Sequence, residues 1–152
     1  MIALDTNVLV RVLTRDDPVQ ADLAADLMKS GDLFICKTVL LEPEWVLRFA
    51  YGFDRAAIHG AIVRLLGLPA LQVEDANTIA DALRGYEAGM DFADALHLFS
   101  CVPTVTAFAT FDQALAKKAT GVEGGTRVHL VDARPSSAVD VMTAVKKITR
   151  VP

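Results

Sequence analysis

The sequence of 152 residues contains little cysteine and no excess of basic side chains. Its two cysteines, Cys36 and Cys101, have apolar neighbours and no Cys-x-x-Cys spacing, which suits small buried thiols in a reducing compartment and excludes a zinc motif. Lys and Arg total 15 against 19 Asp and Glu, giving a net charge of −4, whereas proteins that hold nucleic acid by bulk attraction are normally basic. Any nucleic-acid role must therefore be local, with metal and a few Arg or Lys residues contacting phosphate.

An export signal is also missing from the mostly apolar first 13 residues. They lack a basic segment before the apolar run and include Asp5, Asn7 and Arg11, which fits neither a signal peptide nor a spanning helix. Hydrophobic residues make up 53% and charged residues 22% of the chain, a globular composition that argues against disorder. We therefore expect a cytoplasmic protein with one domain of ordinary size and no membrane partner.

Short apolar runs alternate with longer amphipathic segments along the chain. The pattern predicts strands at residues 2–4, 33–36, 71–73, 104–109 and 127–131, with helices between them. A helix opened by Asp75 is predicted to break at Gly85 to Gly89. Strands separated by helices indicate parallel pairing, so we predict a three-layer α/β/α sandwich with a mainly parallel central sheet over residues 1–131.

A C-terminal extension follows this predicted domain at residues 132–152. Val139, Met142, Val145 and Ile148 recur in it at helical spacing. The pattern fits either an appended helix or a partly ordered tail.

Four acidic residues stand where an apolar segment meets a turn or opens a helix: Asp5, Glu42, Asp94 and Asp112. Ligands of parallel sheets bind beyond the carboxyl ends of the strands, where Asp5 and Asp112 would lie. Because folded chains avoid gathering like charges, convergence of the four would require a cation. Mg²⁺, with Mn²⁺ as the alternative, prefers such hard oxygen ligands and keeps several waters. The sequence therefore predicts an acidic pocket for one or two ions.

Each acid taken alone also has a structural interpretation as a helix cap or turn residue. Asp91 and Asp94 are three residues apart and share a helix face. Pro43 directly follows Glu42 and removes a backbone hydrogen bond, which bends a helix. Glu44 lies two residues beyond Glu42 and points to nearly the opposite side, so we retain Glu42 as the site residue.

Four motifs occur in an order that is typical of one nuclease family: Met-Ile-Ala-Leu-Asp5-Thr6-Asn7-Val-Leu, Leu-Leu-Glu42 with Trp45-Val46-Leu47, Asp91-Phe92-Ala93-Asp94-Ala95-Leu96, and Thr110-Phe111-Asp112. Together they resemble the PIN-domain nucleases, and most of all the VapC-type toxins of bacterial toxin-antitoxin pairs. The likeness spans roughly residues 1–131, while Pro43 and the segment after Asp132 depart from the usual pattern. The resemblance implies a Mg²⁺-dependent, single-strand-selective endoribonuclease, often a homodimer, that a small cognate antitoxin neutralises.

The resemblance also implies roles for individual residues. Asp5 and Asp94 would be the principal metal ligands, with Glu42 and Asp112 completing the pocket directly or through water, and Asp91 left as a cap or supporting residue. The metal would lower the pKa of a bound water and polarise the phosphate, giving in-line attack and a 3′-hydroxyl product.

Several neighbours of these acids have two interpretations. Thr6, Asn7 and Thr110 are equally suited to orienting carboxylates and to capping. Arg11 and Arg15 are candidates to hold RNA phosphate, although ordinary solvated arginines are the simpler alternative. The three histidines are not expected to be catalytic, since a metal-water mechanism leaves little work for a general base. For the aromatic residues around Trp45 and Phe49, a core or dimer-interface role is favoured over base stacking.

Other functions remain open. Haloacid-dehalogenase-type phosphatases also place an aspartate after strand one, but they need a second aspartate two residues later, where this chain has Asn7. A housekeeping PIN nuclease for RNA processing and a catalytically silent binding module are the remaining alternatives, and the compactness of the chain favours the toxin.

Overall fold

The computed structural model describes residues 1–102 and 104–131, so the predicted extension at 132–152 lies outside the described residues. The described part begins with β1 (Ile2–Ala3), α1 (Thr6–Thr14), α2 (Pro18–Lys29), β2 (Leu33–Ile35), α3 (Lys37–Phe49) and α4 (Arg55–Leu66). It continues with β3 (Leu71–Val73), α5 (Ala76–Glu87), α6 (Phe92–Ser100), β4 (Phe108–Thr110), α7 (Gln113–Ala119) and β5 (Val128–Leu130).

All strand pairs in the described part of the chain are parallel. β1, β2 and β3 form one sheet in the order β1-β2-β3, with Leu33 between Ile2 and Leu71. β4 and β5 form a second pair, in which Phe108 lies opposite Val128. The α/β class and the parallel pairing are confirmed. Among the described residues the strands form two hydrogen-bonded sets rather than the single central sheet that was predicted.

Aspartates begin most of the helices, as their position before apolar periodic segments predicts. Side-chain oxygens of Asp17, Asp54, Asp75 and Asp91 accept hydrogen bonds from backbone N–H groups in the first turn of the helix that each precedes. Asp75 adopts a left-handed backbone conformation with φ 54°. These caps fix where the helices start relative to the strands.

The hydrophobic core lies between the sheets and the helices. Leu33 and Ile35 of β2 are fully buried, as are Tyr86 of α5 and Phe92 and Phe99 of α6. The two cysteines are free and half-buried, so the expectation of buried thiols was only partly met. Among the described residues, no helix combines the length and the apolar character that a bilayer crossing requires.

The predicted break of α5 at Gly85 to Gly89 is confirmed, because the helix ends at Glu87. Gly85 itself still lies inside the last turn of the helix. A Cβ atom at position 85 would lie 3.2 Å from the Ala95 Cβ and 3.2 Å from the Phe99 ring, both on α6. The glycine is therefore explained by the close approach of two helices rather than by a turn.

Two expectations need correction. Strand β4 is limited to Phe108–Thr110, whereas a strand over 104–109 was predicted, so the carboxyl end of the strand lies one residue closer to Asp112. Trp45 and Phe49 do not belong to the core, because they are 59% and 63% exposed on α3. Their helical spacing indicated one face of a helix but not which face would be buried.

Candidate active site

The turn after β1 places Thr6, the residue that follows Asp5, in contact with the predicted acid Glu42. The buried Thr6 hydroxyl donates a hydrogen bond to Glu42 Oε2 at 2.6 Å, which ties the start of α1 to the middle of α3. Asp5 occupies the N-cap position of α1 in an extended conformation, but its side chain makes no capping hydrogen bond. Its Oδ2 receives only a long contact of 3.4 Å from the Asn7 amide among the described residues. The Asp5 carboxylate is therefore available to a ligand instead of serving the helix.

Glu42 keeps its expected orientation although Pro43 follows it. Helix α3 is continuous from Lys37 to Phe49, with Pro43 buried in its interior. The proline lacks only the N–H that would have bonded the carbonyl of residue 39. Glu42 lies on the exposed side of the helix and Glu44 on the buried side, as their angular separation predicts.

Asp94 lies in the first turn of α6, half-buried and near other carboxylates. Burial raises its pKa, and the charges of Asp91 and Asp112 raise it further, against the opposing effect of His97 and Lys118. A carboxylate that is destabilised by burial and by like charges is one that a bound cation stabilises. Asp94 thus has the electrostatic environment of a metal ligand.

The two oxygens of the Asp112 carboxylate differ in their contacts: one caps a helix and the other is left for the site. Its Oδ1 accepts hydrogen bonds from the backbone N–H groups of Ala114 at 2.7 Å and Leu115 at 3.0 Å, which caps α7. Thr110 accepts a hydrogen bond from the Asp112 N–H through its hydroxyl at 3.0 Å and so supports the turn. Oδ2 remains for a cation or a water, so the capping role and the predicted site role are compatible.

The four predicted acids form two neighbourhoods. Glu42 is hydrogen-bonded to Thr6, next to Asp5, whereas Asp112 lies close enough to Asp94 for its charge to raise the Asp94 pKa. Within residues 1–102 and 104–131, no group of three or more His, Cys, Asp or Glu is arranged to hold a metal ion. The donor chemistry still fits Mg²⁺, which binds through one or two carboxylates and keeps waters in its other positions.

The two arginines proposed to contact RNA phosphate are both in ion pairs. Arg11 contacts Asp16 at 2.7 Å and Gln20 at 2.7 Å, and Arg15 contacts Asp22 at 2.7 Å. Phosphate would have to compete with these carboxylates. Their role in RNA binding stays a prediction.

A polar cluster that sequence reasoning missed lies behind this site. Glu44 is only 3% exposed and accepts a hydrogen bond from the Tyr86 hydroxyl at 2.9 Å. Arg48, one turn along α3, contacts both Glu44 and Asp91. The Glu44 and Arg48 spacing of four residues was the available signal, but it is equally typical of exposed helix pairs.

The sequence model of the PIN domain matches residues 2–121, which is most of the chain. The chain belongs to the PIN domain family. PIN domains are generally metal-dependent nucleases, so the matched family and the acidic donors indicate the same chemistry. A comparison with curated proteins gives no match.

In this PIN domain, the residues that would hold a divalent metal stand at the carboxyl ends of parallel strands and at one helix start. Asp5 follows β1, Asp112 follows β4, and Asp94 lies in the first turn of α6. When bound, a divalent ion would polarise a phosphodiester and activate water. The protein's own part is to place the carboxylates, through the Thr6 hydroxyl at Glu42 and the capping bonds at Asp112.

Proposed function

We propose that this PIN domain is a Mg²⁺-dependent endoribonuclease, with Mn²⁺ as the alternative ion, and that it acts in the cytoplasm as the toxin of a bacterial type II toxin-antitoxin pair. The observation that carries the nuclease proposal is the state of its carboxylates. Asp5 stands at a helix start without capping it, and Asp94 is half-buried beside Asp91 and Asp112. Burial among like charges disfavours the charged form of Asp94 unless a cation binds it, and the uncommitted Asp5 carboxylate is a second available ligand.

In the proposed reaction, Asp5 and Asp94 hold the ion, and Glu42 and Asp112 complete the pocket directly or through water. The 2.6 Å hydrogen bond from Thr6 holds one oxygen of Glu42 in place. The orientation of the carboxylate is thereby fixed, and its other oxygen is left for the ion or its water. No side-chain nucleophile is required, because the attacking group is water. Cleavage in this way leaves a 3′-hydroxyl on the product.

The nuclease proposal is tested with purified Asp5→Asn and Asp94→Asn variants on single-stranded RNA. We expect cleavage that needs Mg²⁺ or Mn²⁺, stops on chelation and is lost in both variants. Asp26→Asn is the matched control, because Asp26 is an exposed carboxylate whose partner is Lys29 on the same helix. Sequencing the RNA ends gives the cleavage site. Undiminished cleavage by both site variants, or cleavage in chelator, would refute the assignment.

The proposed antitoxin binds the groove between α1 and α2. This groove has a volume of about 270 Å³ and is lined by Asn7, Val8, Arg11, Gln20, Leu23, Ala24 and Leu27. Its apolar floor and the 67% exposed Leu23 suit the apolar face of a partner helix. Induced expression should stop growth and coexpression of an adjacent small gene should restore it. Leu23→Glu should keep cleavage while escaping that rescue.

The proposed homodimer uses the exposed aromatic stripe of α3, defined as Trp45 and Phe49. Their rings lie 5.4 Å apart between centroids, and large exposed aromatics are enriched at protein interfaces. Light scattering should report a dimer for the wild type and a monomer for Trp45→Glu. A dimer that survives this change would exclude the stripe as the interface.

Growth and cleavage assays together separate the alternatives. Cleavage without growth arrest or rescue favours a housekeeping RNA-processing nuclease. Metal-dependent RNA binding without cleavage favours a silent binding module.

A further inference from the structure

The start of α6, which carries Asp94, is held by a chain of polar contacts that runs back into the core. Arg48 Nη2 donates to Asp91 Oδ2 at 3.0 Å and lies 3.3 Å from Glu44 Oε2. Glu44 Oε1 accepts the Tyr86 hydroxyl at 2.9 Å. One guanidinium thus bridges a buried carboxylate of α3 and the N-cap carboxylate of α6.

Glu44 is the buried end of this bridge, while Arg48 and Asp91 are only partly buried. Although burial opposes ionisation of the guanidinium, the hydrogen bond to Asp91 and the charge of Glu44 raise the pKa of Arg48. Arg48 Nε lies 3.2 Å from Glu44 Oε1, within ion-pair distance, but its N–H is not directed at that oxygen. Among the described residues this buried N–H has no hydrogen-bond acceptor. Arg48 therefore bridges the two carboxylates although one of its own N–H groups, at Nε, is left without an acceptor among the described residues.

Asp91 has both of its oxygens committed. Oδ1 accepts the backbone N–H of Ala93 at 3.0 Å, which caps α6, and Oδ2 accepts Arg48. A carboxylate used in this way is not free to bind an ion. Asp94, three residues on, has no such partner among the described hydrogen bonds.

A second arginine, Arg55, contacts the segment that leads into α6. Arg55 donates to the carbonyl oxygens of Tyr86 and Met90 and stacks on the Tyr86 ring at 4.2 Å. The link between α5 and α6 is thus fixed at Met90 by its backbone and at Asp91 by its side chain. Rotation of the first turn of α6 would move Asp94 and would break the contact of Arg48 with Asp91.

We propose that Arg48 is a positioning residue, which acts through Asp91 to set the orientation of the first turn of α6 and hence of Asp94. This inference rests on the proposed function, because it assigns Asp94 to the ion. It makes no use of Arg48 as a contact for RNA. It also assigns Asp91 to the support of the site and not to the ion.

The experiment is a double-mutant cycle on Arg48→Lys and Asp91→Asn in the full chain. Lysine keeps the charge, but a single ammonium lacks the planar fork that spans two carboxylates. Arg84→Lys is the matched control, because Arg84 pairs with Asp81 on its own helix at 2.7 Å. Three quantities are measured for each variant: Mn²⁺ affinity by titration calorimetry, kcat and KM for a single-stranded RNA, and thermal unfolding.

We expect Arg48→Lys to reduce both Mn²⁺ affinity and kcat by about 10- to 100-fold, the range typical of residues that support metal ligands. KM should be unchanged, and Asp91→Asn should give the same pattern. In the Asp91→Asn background, Arg48→Lys should cause no further loss of Mn²⁺ affinity or kcat. Both changes act on the same contact, the one between Arg48 and Asp91. Arg84→Lys should match the wild type.

The outcomes separate this inference from the proposed function. A wild type that neither binds Mn²⁺ nor cleaves RNA overturns both. A wild type that does both, together with folded Arg48→Lys of unchanged Mn²⁺ affinity and kcat, overturns only the positioning role. A raised KM at constant kcat also overturns it, because that pattern indicates direct contact with RNA. If Arg48→Lys does not fold, Asp91→Asn alone decides, with wild-type Mn²⁺ affinity overturning the inference.

Discussion

Replacing Gly85 with alanine sets two known effects against each other. Alanine is favoured over glycine inside a helix by about 1 kcal/mol. The new methyl group, however, would lie 3.1 Å from Met90 Sδ, 3.2 Å from the Ala95 Cβ and 3.2 Å from the Phe99 ring. All three contacts are shorter than ordinary van der Waals separations, so the neighbours must move.

Overpacking decides the sign of the effect. Inserting a methyl group into a well-packed core costs about 1 to 3 kcal/mol. Met90 is flexible and can yield, but the Ala95 Cβ is fixed to the α6 backbone and moves only if the helix moves. Taking about 2 kcal/mol for the clash and about 1 kcal/mol for the helix preference, we expect a net loss of about 1 kcal/mol. This loss corresponds to a fall of about 2 to 4 °C in Tm.

Gly60→Ala supplies the matched control for urea and thermal unfolding. Gly60 also lies inside a helix, α4, but the nearest atom to its added Cβ is the mobile end of Arg64 at 3.3 Å. This variant should therefore gain up to about 1 kcal/mol. If Gly85→Ala is as stable as Gly60→Ala, the close packing of α5 against α6 does not govern this site. A shift of α6 should also lower cleavage by Gly85→Ala, because α6 carries Asp94.

Three further predictions concern single side chains. Tyr86→Phe removes the hydroxyl bonded to buried Glu44 and should cost about 1.5 to 3 kcal/mol in denaturant unfolding; a change below about 0.5 kcal/mol would contradict the bond. The hydrogen bond from Tyr51, helped by Thr14 and Arg11, lowers the pKa of Asp16 to about 2, so its stabilising effect is present above pH 3.8 and is lost as the pH falls through about 2. Tyr51→Phe should raise that pKa in carboxyl NMR titrations, and an unchanged value would exclude the bond. At a protein concentration where the wild type is monomeric, Trp45→Ser should change stability by less than about 0.5 kcal/mol, as expected for an exposed side chain, whereas a larger loss would indicate burial within one chain.

Features of the fold that depend on neighbouring residues in the sequence could be predicted. Aspartates before apolar periodic segments gave the starts of α4, α5 and α6 correctly, because an N-cap is a property of a few adjacent residues. The packing role of Gly85 could not be predicted in this way. Its role depends on Ala95 and Phe99 of another helix, and a sequence read locally cannot show which glycine lies at a helix crossing.

The candidate site was predictable in its residue types but not in its supporting contacts. The availability of Asp5 and the bond from Thr6 to Glu42 depend on the angle between α1 and α3, which no spacing rule gives. The cluster of Glu44, Arg48 and Tyr86 joins residues up to 42 positions apart. Its charged members resemble an ordinary surface pair in the sequence.

The double use of the Asp112 carboxylate affects how mutations at this position should be interpreted. Alanine would remove both the helix cap and the carboxylate oxygen of the site. Loss of the cap alone costs about 1 kcal/mol, so loss of activity in this variant would not distinguish lost chemistry from partial unfolding. Asparagine keeps an oxygen for the two N–H groups of α7 and removes only the negative charge. At this position, therefore, the substitution that looks milder is the one that isolates chemistry from folding.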